Sequence, residues 1–85
     1  MIHELKTWPD PFSAVFSGAK TYEIRRADRP YRAGDVLHLR EWDPATETYS
    51  GREMTAVITY LTPGGAWGLP VEVCVMAIRV EWRRG

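Results

Sequence analysis

Apolar and polar side chains alternate along several short segments of this chain, and a repeat of two residues is typical of a β-strand. Residues 21–25 alternate throughout, and residues 53–61 combine a partly alternating pattern with many β-branched side chains. In residues 36–42, a strand would place Leu37, Leu39 and Glu41 on one side and Val36, His38, Arg40 and Trp42 on the other. We predict further strands at residues 3–7 and 71–82, the second of which contains a continuous apolar run. Because such segments make up nearly half of the chain, the sequence predicts a mainly β fold.

A single short helix is predicted after the first strand, where prolines break the extended pattern. Asp10 suits the cap of this helix, Pro11 its first turn and Gly18 its end. The apolar side chains between them follow helical spacing: Phe12, Val15 and Phe16. One helix among five or six strands indicates an α+β domain with a curled sheet or small β-barrel, and closure of the barrel would remove the exposed strand edges.

Two turn-rich segments connect the later strands. Residues 43–51 lead into a long hairpin, and residues 63–70 form a loop that carries Trp67. No repeat, low-complexity tract or linker interrupts the chain, and its length of 85 residues suits one domain. We therefore treat residues 1–85 as a single domain.

The composition restricts the functional classes to consider. The longest apolar runs fall well short of the roughly 20 residues that a membrane helix needs. Residues 1–6 lack the basic start and apolar run of a secretory signal, so we expect no membrane partner and a cytoplasmic location.

The only cysteine, Cys74, is predicted to be a buried apolar residue, and the isolated His3 and His38 are expected to hydrogen-bond within strands. Because no cysteine or histidine pair has zinc-ligand spacing, we predict no metal and no cofactor.

Charge is balanced over the whole chain and uneven along it. Eleven basic residues oppose 11 acidic ones, yet residues 20–40 carry a local charge of +3 and residues 41–53 one of −3. Nine of the basic residues are arginine, whose planar fork suits phosphates, carboxylates and base edges, although such a preference also occurs without function. Neutral net charge and a pI near 6.7 argue against a general RNA binder and favour a small modified base or a defined RNA end over long duplex.

The polar chemistry is concentrated in residues 18–25. On an extended strand Glu23 and Arg25 lie on one face, about 6.6 Å apart, and Lys20 lies at the entrance to that strand. These groups can hold a nucleobase, because a carboxylate accepts from an exocyclic amine and a guanidinium donates to carbonyl or phosphate oxygens. They are also typical of a solvated ladder of ion pairs, each worth about 0–1 kcal/mol, and spacing alone favours that ladder.

This segment resembles the signature of the ASCH domain, a relative of the PUA fold. The ASCH pattern of Gly, any residue, Lys, two residues, Glu, any residue and Arg is matched at Gly18, Lys20, Glu23 and Arg25. Over nearly the whole chain, the sequence is similar to a compact bacterial and phage branch of ASCH-like proteins of unknown function. That wider similarity lies in His3-Glu4-Leu5-Lys6, Phe12, Val15, Asp28-Arg29, Gly34-Asp35, Glu41-Trp42-Asp43-Pro44, Tyr49, Gly51-Arg52 and Gly68-Leu69.

The resemblance implies a PUA-like β-barrel with a cleft beside its short helix, and RNA or a nucleotide-like small molecule as the ligand. The matched motif residues Gly18, Lys20, Glu23 and Arg25 are the expected ligand-binding set. The chain departs from the pattern at Glu72-Val73, where a Gly-Tyr pair is expected in one wall of the cleft.

A small hydrolase is the alternative function. Some ASCH-like proteins are hydrolases, and one acts on acetylated cytidine through a lysine, a threonine three residues later and a distant glutamate. Lys20 matches that lysine, but Glu23 occupies the threonine position. Lys20 and Glu23 would then be the catalytic acid and base acting on a bound water, as an amidohydrolase or ribonuclease of modified nucleosides or RNA.

Lys6, Trp8 and Trp42 are predicted at the rim of the cleft. Either tryptophan can stack on a base, which contributes about 1–3 kcal/mol, and core packing is the equal alternative. Trp67 points to a third function, protein interaction through its loop, and the alternative role for Trp67 is an anchor that covers the barrel end. The sequence ranks RNA or nucleotide binding first, hydrolysis second and protein interaction third.

Overall fold

The computed structural model describes residues 1–85 and contains five strands and one α-helix. The strands are β1 (Ile2–Thr7), β2 (Tyr22–Arg26), β3 (Val36–Asp43), β4 (Thr48–Thr62) and β5 (Val73–Arg84), the α-helix is α1 (Pro9–Ser17), and one 3-10 turn covers Ala66–Gly68. Strands hold 54% of the residues, which confirms the prediction of a mainly β fold with one short helix near the N-terminus. No helix is both long and apolar enough to cross a membrane.

The five strands form one curled sheet in the order β1-β3-β4-β5-β2. β1 runs parallel to β3, and all other neighbours are antiparallel. The sheet is a half-barrel, so the predicted curl is confirmed. The prediction that closure removes the strand edges is wrong, because β1 and β2 lie at the two edges and do not pair with each other.

The hydrophobic core lies on the concave face of the half-barrel, where α1 packs. Alternate residues of the strands face it, as expected for a sheet that is covered on one side. α1 contributes Phe12 and Val15, both fully buried, because helical spacing places them on one stripe. The buried apolar residues are Leu5, Phe12, Val15, Tyr31, Leu37, Leu39, Met54, Ala56, Ile58, Cys74, Met76 and Ile78. Cys74 is among them, as predicted.

The ends of α1 differ in how well local sequence predicts them. Gly18 follows the helix in a left-handed conformation with φ 88°, and its N–H donates to the carbonyl oxygen of Val15 at 3.0 Å, as predicted. The prediction that Asp10 caps the helix is wrong. Trp8 is the N-cap and Pro9 is the first helical residue, a position where the missing proline N–H is not needed. Asp10 therefore lies inside the first turn, where its charge still complements the helix dipole.

β4 is longer than predicted and includes residues that were expected in a turn. It begins at Thr48, and Tyr49 pairs with Trp42 before the register shifts. Gly51 has φ 94°, a conformation that glycine adopts without strain and that suits a β-bulge. The turn signal at Ser50-Gly51 therefore marks an irregularity inside the hairpin rather than its end.

β2 keeps the predicted alternation and turns its polar face inward. Glu23 is only 2% exposed, whereas Tyr22 and Ile24 are 44% and 55% exposed. β2 and β1 are the two edge strands of the half-barrel and are separated by a gap. The inner face of β2 lies opposite the end of β1 and the start of α1 across this gap. A charged side chain can lie there if neighbouring cations compensate it.

Both histidines make the hydrogen bonds expected of isolated strand residues. His38 Nε2 lies 2.6 Å from Glu53 Oε1, and His3 Nε2 lies 2.9 Å from Asp35 Oδ2. His3 and Asp35 are buried, and Asp35 also accepts hydrogen bonds from a backbone N–H and the amino group of Met1. The hydrogen bond from His3, followed by these other donors, holds the pKa of Asp35 below its ordinary value.

The lowered pKa of Asp35 predicts a pH-dependent stabilisation. A carboxyl group with a depressed folded pKa contributes stability that is present above its unfolded pKa and is lost as pH falls through the folded pKa. We expect Asp35→Asn to lower the Tm at pH 7, and the difference from wild type to shrink below about pH 4. Thermal unfolding measured by circular dichroism at several pH values tests this, and a difference that does not change with pH contradicts it.

The predicted loop between β4 and β5 is present, and Trp67 projects from it. Trp67 is 94% exposed and has φ 54°. An indole this exposed does not pack against the hydrophobic core and cannot cover the end of the half-barrel. The interpretation of Trp67 as a loop anchor is therefore wrong.

Candidate functional site

A pocket of about 250 Å³ opens where β2 faces the end of β1 and the start of α1. We call it the first pocket. It is lined by Lys6, Thr7, Trp8, Pro11, Lys20, Glu23, Ile24 and Arg25. The glycine that ends α1 turns the chain back toward β2, so that Lys20 and the inward face of β2 reach the same cavity.

Glu23 lies in the wall of the first pocket between two cations. Its Oε1 accepts a hydrogen bond from Lys20 Nζ at 3.2 Å, and its Oε2 accepts one from Arg25 Nε at 2.9 Å. The Glu23 side chain is 3% exposed, and those of Lys20 and Arg25 are 20% and 21% exposed. Each carboxylate oxygen accepts one bond and keeps a second acceptor position. The trio is therefore a partly buried, ordered network and not the solvated ladder that spacing alone suggests.

Arg25 joins the two edges of the half-barrel. Its Nη1 donates to the Lys6 carbonyl oxygen, and its Nη2 donates to Thr7 Oγ1, both at 3.0 Å. With the bond from Nε to Glu23, the guanidinium is held at three points and keeps two of its five N–H groups for a ligand. A side chain fixed in this way loses little conformational entropy when it binds an anion.

Thr7 is the member of the site that sequence reasoning missed. It is buried at the end of β1, and its oxygen accepts the bond from Arg25. The hydroxyl hydrogen has no acceptor in the structure, so it can donate to a ligand. No carboxylate or imidazole hydrogen-bonds this hydroxyl, and a nucleophilic threonine needs such a base. The only available signal was its alternation with His3 and Leu5, which placed it on the inner face of β1.

The first pocket has a positive electrostatic character. Its lining contains three cationic side chains, those of Lys6, Lys20 and Arg25, and one carboxylate, that of Glu23. The formal charge is thus +2, which suits an anion better than a metal cation. The arrangement can donate several hydrogen bonds to phosphate or carbonyl oxygens and accept one or two from an amine.

Residues 2–78 match the family described as "Domain of unknown function (DUF3850)". This span includes every residue that lines the first pocket. The chain belongs to the DUF3850 family.

A phage protein is related to this DUF3850 chain. It is named "Uncharacterized 12.9 kDa protein in GpA 3'region", comes from Escherichia phage P2, and is 39% identical to this chain over 66 residues. The match covers 78% of this chain and 59% of the phage protein, so the chain spans less than two thirds of its relative. The expected relation to a small family of unknown function with phage members is confirmed at this level.

The DUF3850 fold brings most of the predicted site residues together. Lys20, Glu23, Arg25, Lys6 and Trp8 line the first pocket, and Trp8 is 60% exposed at its rim. Two predicted residues do not line it: Gly18 and Trp42. Gly18 acts on the site through the chain reversal after α1. The ring of Trp42 packs against Tyr49 and lies 4.0 Å below Lys6 Nζ, so Trp42 positions Lys6 instead of meeting a ligand directly.

Proposed function

We propose that this DUF3850 chain is an RNA- or nucleotide-binding module of the PUA-like, ASCH type, and that the first pocket is its binding site. The proposal depends mainly on the geometry of Arg25. Three hydrogen bonds fix its guanidinium, which keeps two N–H donors for a ligand next to the unused acceptor positions of the Glu23 carboxylate. A half-barrel with a pocket beside its single helix also agrees with the fold that the ASCH signature implies.

A nucleotide satisfies the groups that the first pocket presents. Arg25 and Lys20 donate to phosphate or base carbonyl oxygens, and the remaining acceptor positions of Glu23 take the hydrogens of an exocyclic amine. Trp8 offers an exposed ring on which a base can stack. Because few cations are available to displace counterions, we expect binding to be weak and sensitive to salt.

A direct test compares Lys20→Gln with Arg79→Gln, since both changes remove one positive charge. Arg79 is 66% exposed and does not line the first pocket, so it controls for net charge. We expect Lys20→Gln to weaken binding of a fluorescent single-stranded RNA hexamer about tenfold or more at low salt, because a hydrogen bond to a charged group is worth about 1.5–3 kcal/mol and 1.4 kcal/mol corresponds to a factor of ten in affinity.

The salt dependence of the same titrations gives a second readout. Each phosphate contact contributes about −0.7 to the slope of log K against log salt for a single strand. Lys20→Gln is expected to reduce the slope by about that amount, and Arg79→Gln to leave it unchanged. Fluorescence anisotropy at several salt concentrations measures both. Equal losses for the two variants would show that binding follows net charge and not the first pocket.

We expect no hydrolysis of N4-acetylcytidine by the wild-type chain. Glu23 stands where the related amidohydrolase has its threonine, and an ionised carboxylate repels a developing oxyanion. Thr7 does not replace that threonine, because Arg25 and not a base contacts its hydroxyl. Incubation with N4-acetylcytidine and chromatography for released cytidine checks this. Turnover by wild type that disappears in Lys20→Gln would instead support the hydrolase function, whereas turnover only in Glu23→Thr would indicate a hydrolase scaffold without its nucleophile.

A further inference from the structure

A second pocket, of about 200 Å³, adjoins the first, and Arg25 lines both. It lies beside β1 on the segment that follows β2. Its lining residues are Leu5, Arg25, Arg26, Asp28, Arg29 and Tyr31. Three arginines and one carboxylate give it a formal charge of +2, so the gap between the edges of the half-barrel contains two adjacent cationic pockets.

Tyr31 provides an unused polar group in the second pocket. The residue is 94% buried, being 6% exposed, and its ring packs edge-on against His3 with centroids 4.7 Å apart. No hydrogen bond involves its hydroxyl. Every fully buried side-chain polar atom in the structure has a hydrogen-bond partner, so the unbonded hydroxyl of Tyr31 is not fully buried. The hydroxyl therefore opens onto the pocket. Burial raises the pKa of Tyr31, so the hydroxyl remains protonated and able to donate at neutral pH.

The arginines of the gap are spaced along β1. Arg25 Nη1 donates to the carbonyl oxygen of Lys6, and Arg29 Nη1 donates to that of Glu4 at 3.1 Å. These two carbonyl groups are two residues apart, or roughly 6.6 Å along the strand. One extended nucleotide unit spans such a distance. Arg29 uses one of its five N–H groups in this contact and keeps four.

We propose that the second pocket receives the neighbouring nucleotide of a single-stranded RNA whose first nucleotide occupies the first pocket. This inference rests on the proposed function of the first pocket. The bridging phosphate lies at Arg25, which both pockets share. Asp28 is an acceptor only and takes the hydrogen of a ribose 2′-hydroxyl, while Tyr31 and Arg29 donate to the second base or sugar. The two pockets together thus favour a strand over a single nucleotide, and the contact with Asp28 favours ribose over deoxyribose.

The test compares three ligands by isothermal titration at low salt: adenosine monophosphate, the ribodinucleotide ApA and its deoxy counterpart. We expect ApA to bind about tenfold more tightly than adenosine monophosphate, and several-fold more tightly than the deoxydinucleotide. Tyr31→Phe keeps the ring that packs against His3 and removes only the hydroxyl. It should reduce the advantage of ApA and leave the affinity for adenosine monophosphate unchanged, as should Arg29→Gln.

The results distinguish this inference from the proposed function. If adenosine monophosphate and ApA bind equally well to wild type, or if both variants retain the full advantage of ApA, the second pocket is not a nucleotide site and the first pocket still is. If none of the three ligands binds, the proposed function fails and this inference fails with it.

Discussion

Glu23→Ala is expected to lower the Tm by about 10–20 °C. The change leaves Lys20 and Arg25 near each other without the carboxylate that receives a hydrogen bond from each. Breaking a buried ion pair by removing one partner costs about 3–5 kcal/mol, and the partial exposure of the two cations reduces this to about 2–3 kcal/mol. For a domain of this size each kcal/mol corresponds to about 4–8 °C. Thermal unfolding monitored by circular dichroism measures the shift.

Glu4→Ala is the matched control for this effect. Glu4 also pairs with an arginine, Arg40, at 2.9 Å, but the two side chains are 56% and 34% exposed. Exposed pairs contribute about 0–1 kcal/mol, so the control should shift the Tm by only a few degrees. Similar shifts for Glu4→Ala and Glu23→Ala would mean that the Glu23 network is an ordinary set of surface ion pairs, and the ordered site would lose its basis.

Arg25→Lys is expected to weaken RNA binding about tenfold or more, although the positive charge is kept. Lysine has three donors on one nitrogen and cannot contact Glu23, Thr7 and the Lys6 carbonyl oxygen while also presenting donors to a ligand. A charge-assisted hydrogen bond is worth about 1.5–3 kcal/mol, and 1.4 kcal/mol corresponds to a factor of ten in affinity. Anisotropy with a single-stranded RNA hexamer measures the loss, at a temperature where circular dichroism shows both proteins folded.

Arg79→Lys serves as the control for arginine replacement. The Arg79 side chain makes one hydrogen bond, to Glu81 on the same strand, and lies outside the first pocket. Its replacement should leave the affinity unchanged. If Arg25→Lys also retains full affinity, the pocket binds by charge alone and the fixed geometry of the guanidinium has no part in recognition.

Local sequence predicted those parts of the fold that depend on neighbouring residues. The strand alternation and the role of Gly18 as the end of α1 follow from backbone preferences within a few residues. The mistaken cap at Asp10 shows the limit of such rules, since Pro9 competes for the same turn and starts the helix earlier. The bulge near Gly51 has the composition of a turn, and only pairing with β3 keeps it inside β4.

The candidate site was predictable in its residues and not in its arrangement. The motif placed Lys20, Glu23 and Arg25 together, but neither spacing nor composition indicated that Glu23 is buried. That burial depends on the cations that compensate it and on the curl that brings the two sheet edges together. Thr7 was missed for the same reason, because it is 18 residues from Arg25 in sequence and meets it only across the edge gap.

The central claim, that the first pocket binds nucleotides, is tested most directly by titrating ¹⁵N-labelled protein with a single-stranded RNA hexamer at low salt and following the amide and indole signals by NMR. We expect the shift changes to lie in residues 6–8 and 20–25, with the Trp8 indole among them, and to weaken as salt rises. Unchanged signals at these positions, or changes confined to the exposed loop around Trp67, would contradict the claim.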